Sequence, residues 1–265
     1  MQQQKTAPQI PQYSIGKILL VWAAAAGPMA ILGWIIGPAF ARDAADIPFA
    51  RLWGLTVGLI WQFVLVLILL RREGSTLRWA DVRERLWLRA PSNAAVRTDR
   101  RLWWWLVPLL IAETVFALMV TGTVEGLWVK LLPFFAEPPS YSMNAFMASP
   151  ESRAAMVGNW GLFLLFLVQL IFNTVIGEEL LFRGLLLPRM AGAFGRWDWL
   201  ANGILFGFYH WHQPWGMLGS AIDGTLLYAL PSRAFKSSWF GIIVHSGQSV
   251  YFAFLLLGLV LGLAK

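Results

Sequence analysis

Two adjacent carboxylates, Glu178 and Glu179, follow a long apolar run and stand just before Arg183. If this segment is helical, Glu179 and Arg183 are four residues apart on one face, which predicts an ion pair. Glu178 points about 100° away from Glu179 and has no such partner in its own segment. A carboxyl group removed from water can take up and release a proton near neutral pH, so Glu178 is a candidate general base or acid.

All three histidines of the chain, His210, His212 and His245, also fall in apolar segments. His210 follows Phe206 by one helical turn and Asn202 by two turns, so its face of the helix is partly polar. His212 points about 160° away from His210 and ends its segment, where we expect it at the membrane interface. His210 is therefore the better candidate for chemistry.

Two hydrogen-bonding residues, Gln248 and Ser249, follow His245 at helical spacing. Both can share the face of the histidine. A histidine with neighbouring donors suits the stabilisation of an oxyanion, and hydrogen bonding between helices is the alternative role for the two side chains. Glu113 and Asp223 are further ionisable residues in apolar segments, and their spacing assigns neither of them a role.

The composition predicts an all-α integral membrane protein. Of the 265 residues, 58% are hydrophobic and 13% are charged, whereas soluble domains carry about 25% charge. Long apolar runs recur along the chain, so we expect a polytopic bundle of about seven or eight transmembrane helices around an intramembrane polar site. The 16 tryptophans fit aromatic belts at the membrane interfaces.

Cysteine is missing from the sequence, which excludes disulfides, thiolate chemistry and a Cys-ligated zinc site. The formal net charge is +7. No basic stripe is interleaved with aromatic residues on a polar element, so we expect no nucleic-acid partner. The positive charge instead fits the tendency of basic residues to collect in cytoplasmic loops.

The chain divides into three predicted regions. Residues 1–14 are polar and predict a disordered tail. Residues 15–154 hold N-terminal transmembrane helices and a basic loop, 71–101, with nine arginines against four acidic residues. Residues 155–265 hold the polar motifs and form the catalytic transmembrane region. The predicted spans cover residues 18–40, 52–70, 102–121, 160–182, 200–212, 217–230 and 239–264.

The arginine-rich loop predicts the orientation of the chain in the cell membrane. Basic loops stay on the cytoplasmic side, so we expect the loop, the N-terminus and the opening of the active site there. Part of the loop, near residues 77–88, is expected to form an amphipathic surface helix, with a solvated loop as the alternative. No internal repeat is visible, which argues against a transporter built from two similar halves.

Three motifs stand in order in the C-terminal half. They are Glu-Glu-x-x-x-Arg at 178–183, Phe-x-x-x-His at 206–210, and the first residue of His-x-x-x-Asn/Asp at His245. Together they resemble the CPBP family of intramembrane proteases, the family of the CAAX prenyl endopeptidases and bacterial Abi proteins. The resemblance covers roughly residues 155–255, and the first half of the chain shows nothing specific to the family.

The resemblance implies an intramembrane endopeptidase that hydrolyses a peptide bond of a membrane-associated peptide or protein. It implies that Glu178 and His210 activate a water molecule, and that His245 with its fourth-position partner stabilises the oxyanion of the tetrahedral intermediate. It also implies that Glu179 and Arg183 orient the site. The implied partners are a peptide or membrane-tethered protein substrate and the lipid bilayer.

The sequence departs from the family motif at position 249, where Ser stands in place of Asn or Asp. The hydroxyl of Ser249 can donate a hydrogen bond, but over a shorter reach. Gln248 is a candidate substitute from an adjacent angle. A catalytically inactive family member that acts as a membrane scaffold is therefore an alternative function.

Metal dependence stays open at this stage. Glu178, His210 and His245 are possible ligands of one zinc ion with an open coordination position. The chain has no His-Glu-x-x-His motif, and a water-activating glutamate with a histidine needs no further ligand, so a metal-free mechanism is favoured. A proton-coupled transporter that uses Glu113, Glu178 and the histidines as a relay is another class of function.

Overall fold

The computed structural model describes residues 10–92 and 98–263, and these residues form helices and connecting segments without a β-strand. The prediction of an all-α protein is confirmed. In chain order the helices are α1 (Ile15–Ala39), α2 (Ala44–Arg72), α3 (Trp79–Arg85), α4 (Arg100–Leu131), α5 (Met143–Ala148), α6 (Pro150–Met156), α7 (Trp160–Arg189), α8 (Ala191–Phe194), α9 (Asp198–Tyr209), α10 (217–235) and α11 (Trp239–Val260).

Five of these helices, α1, α2, α4, α7 and α11, are long and apolar enough to cross a membrane. Local sequence sets several of their ends. Ser14 and Asn159 cap α1 and α7, because each side chain accepts a hydrogen bond from a backbone N–H of the first turn. After α2 ends at Arg72, Gly74 has a φ of 77°, a conformation that glycine adopts without steric cost.

The two shorter helices α9 and α10 pack closely at two glycines. A Cβ on Gly207 would stand 2.8 Å from the Cα of Ala221, and a Cβ on Gly203 would overlap Thr225. Small residues let helix backbones approach each other. α9 has 12 residues, fewer than the roughly 20 that span a bilayer. α10 is likewise not among the helices that are both long and apolar enough to cross a membrane.

The basic loop is attached to the C-terminal half of the chain. Its predicted surface helix is observed as α3, but Leu86, Trp87 and Leu88 after it are buried. Ser238, just before α11, donates from Oγ to the Leu86 carbonyl at 2.6 Å and from its backbone N–H to the Trp87 carbonyl at 2.9 Å. The loop is therefore not wholly solvated. Arg97, one of its nine arginines, lies outside the described residues.

Residues 10–14 of the predicted tail are docked on the bundle. Tyr13 is buried, its backbone N–H donates to the Arg189 carbonyl at 2.9 Å, and its hydroxyl donates to Glu73. Arg189 donates to both oxygens of the Glu73 carboxylate, at 2.8 and 2.6 Å. The start of α1 and the ends of α2 and α7 thus meet at one end of the bundle. We call it the basic end, because Arg71, Arg72 and Arg189 lie there. Residues 1–9 lie outside the described residues.

The Glu73 carboxyl is stabilised as an anion in this contact. Burial alone would raise its pKa, but the hydrogen bonds and charge of Arg189, the Tyr13 hydroxyl and the charge of Lys17 outweigh burial. The pKa of Glu73 therefore lies below its ordinary value of 4.5. Burial and the bond to Glu73 together raise the pKa of Tyr13.

The third span and the connection after it differ most from their sequence prediction. The third span, expected to end near residue 121, continues as α4 to Leu131, and the connection after it contains α5 and α6. Thr121 and Gly122 are weak helix formers, which is why they predict an end. A tertiary contact supports the continuation, because the Trp128 indole donates to the Pro214 carbonyl at 2.8 Å.

Candidate active site

The second half of α7, which carries the Glu-Glu motif, is enclosed by protein. Every residue from 177 to 190 is buried. The helix is wound as a π-helix at Phe172–Gly177 and again at Leu180–Leu186. Hydrogen bonds in a π-helix run between residues i and i+5, and such turns are frequent at functional sites. This winding brings Asn173 next to Glu178, which a regular helix would place on a different face.

Glu178 is 3% exposed and lines a cavity of about 170 Å³. With its amide nitrogen turned toward Glu178, Asn173 donates to both carboxylate oxygens, at 3.0 and 3.1 Å. Tyr209, next to His210, is held by Gln62, which donates to its hydroxyl at 2.6 Å. The neutral Asn173 amide holds the Glu178 carboxylate in place without neutralising it.

Glu179 connects Arg183 to the catalytic histidine candidate of α11. Its Oε1 accepts from Arg183 Nη1 at 2.8 Å and from His245 Nδ1 at 3.1 Å. Arg183 is completely buried, donates to the Gly224 carbonyl at 2.9 Å, and lies 4.1 Å from the centre of the Phe206 ring. The predicted ion pair is confirmed, and the same carboxylate also fixes the His245 ring.

His245 presents its second nitrogen to the cavity. Its Nδ1 is engaged by Glu179, and the Tyr228 ring stacks on the imidazole with centroids 4.7 Å apart and planes at 15°. A hydrogen bond at one ring nitrogen sets the role of the other. His245 lines the same cavity as Glu178, so its Nε2 is the atom available there.

His210 is the first residue after α9 and belongs to the short 3₁₀ turn His210–His212. Its Nδ1 donates to the Phe206 carbonyl at 2.9 Å. Because a carbonyl only accepts, Nδ1 carries the proton and Nε2 of the neutral ring carries a lone pair. In the described part of the chain, no hydrogen bond joins His210 to Glu178. They meet as neighbours around the cavity.

The cavity therefore brings together the three predicted catalytic residues, Glu178, His210 and His245. Its volume of about 170 Å³ exceeds the roughly 30 Å³ that one water occupies in the liquid, so it has room for a water and part of a substrate. Its remaining lining consists of Met29, Leu55, Leu59, Gln169, Asn173, Phe206, His212, Gln213, Ser220, Asp223, Tyr228 and Gln248.

The cavity extends from Glu178 away from the basic end. On α7 the other lining residues, Gln169 and Asn173, precede Glu178, and on α11 the lining begins at His245. Residues 86–88 pack at the opposite, basic end, where the N-terminus also docks. The sequence predicts the N-terminus and the opening of the site on one side. That both lie on the cytoplasmic side stays a prediction.

The fourth-position partner of His245 also differs from the prediction. Ser249 donates to Thr174 Oγ1 at 3.1 Å and does not line the cavity. Gln248 does line it, next to His245.

A comparison with protein-family models matches this part of the chain. Residues 159–251 match the Rce1-like family, described as type II CAAX prenyl endopeptidase Rce1-like. The resemblance to the CAAX proteases is confirmed for this segment, which holds all three motifs. With its long apolar helices, the match indicates a multi-pass membrane protein of a peptidase family. No curated protein and no solved structure matched the chain.

Residues outside the Rce1-like segment complete the site. Met29 of α1 and Leu55 and Leu59 of α2 form part of the cavity wall, and Gln62 holds Tyr209. The N-terminal helices therefore shape the cavity, although the sequence gives them no motif.

Two predicted supporting residues of the Rce1-like segment have packing roles. Asn202 is buried, and its amide donates to the Phe182 carbonyl at 2.9 Å, away from the cavity. Phe206 lies edge-on to His210, with ring centroids 4.9 Å apart, and edge-on to His245 at 6.1 Å. Asn202 thus ties α9 to α7, and Phe206 separates the two histidines.

The sequence predicts that His212 lies at the membrane interface. In the structure it is instead buried and lines the cavity. Arg51 donates to its carbonyl at 2.6 Å and to the Gly33 carbonyl at 2.9 Å. The guanidinium lies 4.4 Å from the centre of the Tyr141 ring. A buried arginine from α2 thus holds the turn that follows α9.

A zinc site does not fit the side chains as they are placed. Within residues 10–92 and 98–263, no group of three or more His, Asp and Glu side chains could hold a metal ion. Glu178, His210 and His245 line one cavity but do not form such a group. A catalytic zinc takes three protein ligands, so no step below involves a metal.

Sequence reasoning missed Asn173, Tyr209 and Tyr228 around the candidate catalytic residues. Each is uncharged at neutral pH, so a search for ionisable residues in apolar segments passes over them. Tyr209 directly precedes His210, which is a usable signal. For Asn173 the sequence carries no such signal. In a helix with a period of 3.6 residues it would not face Glu178, and only the π-helical winding brings the two together.

Proposed function

We propose that the chain is an intramembrane endopeptidase that hydrolyses a peptide bond of a membrane-associated peptide or protein. The main supporting observation is that Glu178, His210 and His245 line one cavity and all belong to the segment that matches the type II CAAX prenyl endopeptidases. Burying ionisable groups in an apolar bundle is costly, and hydrolysis gives these groups a function.

Glu178 is the general base in this proposal. Its carboxylate takes a proton from a water molecule that His210 orients through the lone pair of Nε2. The water oxygen forms a bond to the carbonyl carbon of the scissile peptide, and the carbonyl oxygen becomes an oxyanion. The neutral donor Asn173 keeps the carboxylate aimed at the cavity.

His245 stabilises the oxyanion. An imidazole that donates from Nδ1 to Glu179 and from Nε2 to the oxyanion carries both protons, and the Glu179 carboxylate offsets its positive charge. When the intermediate collapses, the carbon–nitrogen bond breaks and the proton held by Glu178 passes to the leaving nitrogen. The products are a carboxylic acid and an amine, so one water is consumed.

We place α9 and α10 in the membrane as shorter spans, which gives about seven transmembrane helices with the five long ones. The basic end, with the N-terminus and loop 71–101, lies on the cytoplasmic side of the cell membrane. Single cysteines test this, because the chain has none of its own. A membrane-impermeant maleimide applied to intact cells should label Ser140→Cys and spare Thr76→Cys, and the reverse pattern contradicts the orientation.

The activity is tested by comparing membranes that contain the parent chain, Glu178→Gln or Glu125→Gln. Mass spectrometry of new peptide termini should show products with the parent and with Glu125→Gln, and none with Glu178→Gln. Internally quenched peptides that end in Cys-Ala-Ala-Xaa, with and without a prenyl group on the cysteine, then test prenyl dependence in liposomes. Identical termini with the parent and with Glu178→Gln overturn the proposal and favour a scaffold.

A further inference from the structure

Glu113 is the one buried residue of α4, a helix that the structure describes over its full length. Its side chain does not point into lipid. Oε1 accepts a hydrogen bond from the Tyr228 hydroxyl at 2.8 Å and another from Gln248 Nε2. A buried carboxylate without such donors would be strongly destabilising, so these contacts explain how α4 carries an acidic residue at this depth.

The bond to Glu113 fixes the orientation of the Gln248 amide. A carboxylate only accepts hydrogen bonds, so it selects the amide nitrogen of Gln248 rather than the amide oxygen. An amide nitrogen has two N–H groups. One is engaged by Glu113, and the other belongs to a side chain that lines the catalytic cavity beside His245.

Tyr228 links the same carboxylate to His245. Its hydroxyl donates to Glu113, and its ring stacks on the imidazole at 4.7 Å. Glu113 therefore holds two side chains that flank His245, Gln248 along α11 and Tyr228 from α10. The Ser249 hydroxyl, by contrast, donates its hydrogen bond to Thr174.

We propose that Glu113 is a positioning residue that holds the Gln248 amide as a second hydrogen-bond donor to the oxyanion, beside His245. The inference rests on the proposed peptidase function. It gives α4, which lies outside the Rce1-like segment, a defined part in the reaction. Glu113 acts through Gln248 and does not touch the substrate.

The kinetic test uses the quenched peptide that the parent cleaves and Glu178→Gln does not. Gln248→Met keeps the length of the side chain and removes its donor, and it should lower kcat by roughly 10²-fold, the loss of one oxyanion donor, with little change in KM. Glu113→Met should lower kcat about tenfold or more. Glu113→Gln, which keeps an acceptor for Tyr228 and Gln248, should recover most of that loss.

The double variant separates positioning from general damage. If Glu113 acts through Gln248, Glu113→Met combined with Gln248→Met should be no slower than Gln248→Met alone, because residues that act as a unit are not additive. Independent effects that multiply contradict the proposal. Glu125→Gln, a matched change in the same helix, serves as the control and should keep the parent kcat.

A binding measurement tests the oxyanion contact without turnover. A peptide aldehyde, whose hydrate resembles the tetrahedral intermediate, should bind about tenfold or more weakly to Gln248→Met and Glu113→Met. The matching peptide alcohol should bind all variants alike. Equal loss for both ligands means a structural role and overturns the inference, while cleavage that does not depend on Glu178 overturns the proposed function instead.

Discussion

α7 and α4 are both long apolar helices with acidic residues, but the protein encloses them very differently. Every residue from 177 to 190, a stretch that runs from the middle of α7 to the residue after it, is buried. In α4, by contrast, Glu113 is the one buried residue. α7 supplies two carboxylates, and one of them is neutralised by Arg183 and His245. Among the described residues, Glu113 of α4 accepts hydrogen bonds from two neutral side chains, Tyr228 and Gln248.

The contrast shows two ways to keep an acidic residue inside a membrane protein. Around residues 177–190 of α7 the neighbouring helices exclude lipid, so the ionic network of Glu179, Arg183 and His245 is enclosed by protein. α4 has no hydrophobic reason to join the bundle, because lipid is as apolar as its own surface. Specific contacts attach it instead. They include the bonds of Glu113, the Trp128 bond to Pro214, and the stacking of Trp103 on Phe240 with centroids 5.7 Å apart.

The largest expected effect is on peptidase activity, and it distinguishes Glu178 of α7 from Glu125 of α4. Glu178→Gln keeps the shape of the side chain and removes the base, so kcat/KM should fall roughly 10²–10⁴-fold. Glu125→Gln in α4 should leave it unchanged. Peptide cleavage in liposomes measures both. Comparable losses in the two variants would mean that the enclosed carboxylate has no special role.

The second effect concerns the ionic network of α7. Arg183→Met leaves Glu179 buried without its main cation, and breaking a buried pair in this way costs about 3–5 kcal/mol. The unfolding temperature in detergent should drop clearly. Thr114→Val, an exposed position in α4, is the matched control and should unfold like the parent. An unchanged unfolding temperature in Arg183→Met would refute the importance of the network.

A third prediction concerns the contact between Glu73 and Arg189, which joins α2 to the enclosed end of α7. Glu73→Gln removes hydrogen bonds to a charged group and should cost about 1.5–3 kcal/mol at neutral pH. The folded-state pKa of Glu73 is lowered, so its contribution is present above the ordinary value and is lost as the pH falls through the folded value.

The measurement for this contact is the unfolding temperature of the parent and of Glu73→Gln between neutral pH and acid. The difference between the two proteins should be largest at neutral pH and should shrink below pH 4.5, the ordinary value of the glutamate pKa. A difference that grows on acidification would reverse the assigned sign.

The smallest expected effect is on stability, and it is a comparison of two glycines, Gly207 in α9 and Gly126 in α4. Gly207→Ala places a Cβ 2.8 Å from the backbone of Ala221 and should cost about 1–3 kcal/mol by overpacking. A Cβ on Gly126 in α4 meets nothing within 4 Å, so Gly126→Ala should be neutral or should stabilise by up to about 1 kcal/mol. Thermal unfolding of the two variants checks the difference, and equal behaviour would contradict the contrast in packing.

Much of the fold and part of the site follow from local sequence. Apolar runs predict the long helices, and the four-residue spacing of Glu179 and Arg183 predicts their ion pair. The extent of α4 is not predictable in this way, because Trp128 contacts Pro214, which is distant in the chain. The hydrogen bond between His245 and Glu179 joins two helices, so the periodicity of a single helix cannot predict it.

The sequence by itself determined the class of protein, its apolar helices and the residue types of the site, because composition and periodicity express burial directly. The tertiary structure decided which side chains face the cavity. It turned Ser249 toward Thr174, brought Asn173 to Glu178 through a π-helical turn, and gave Glu113 its donors. These choices depend on helix winding and on contacts between distant segments, which the order of residues in one helix does not specify.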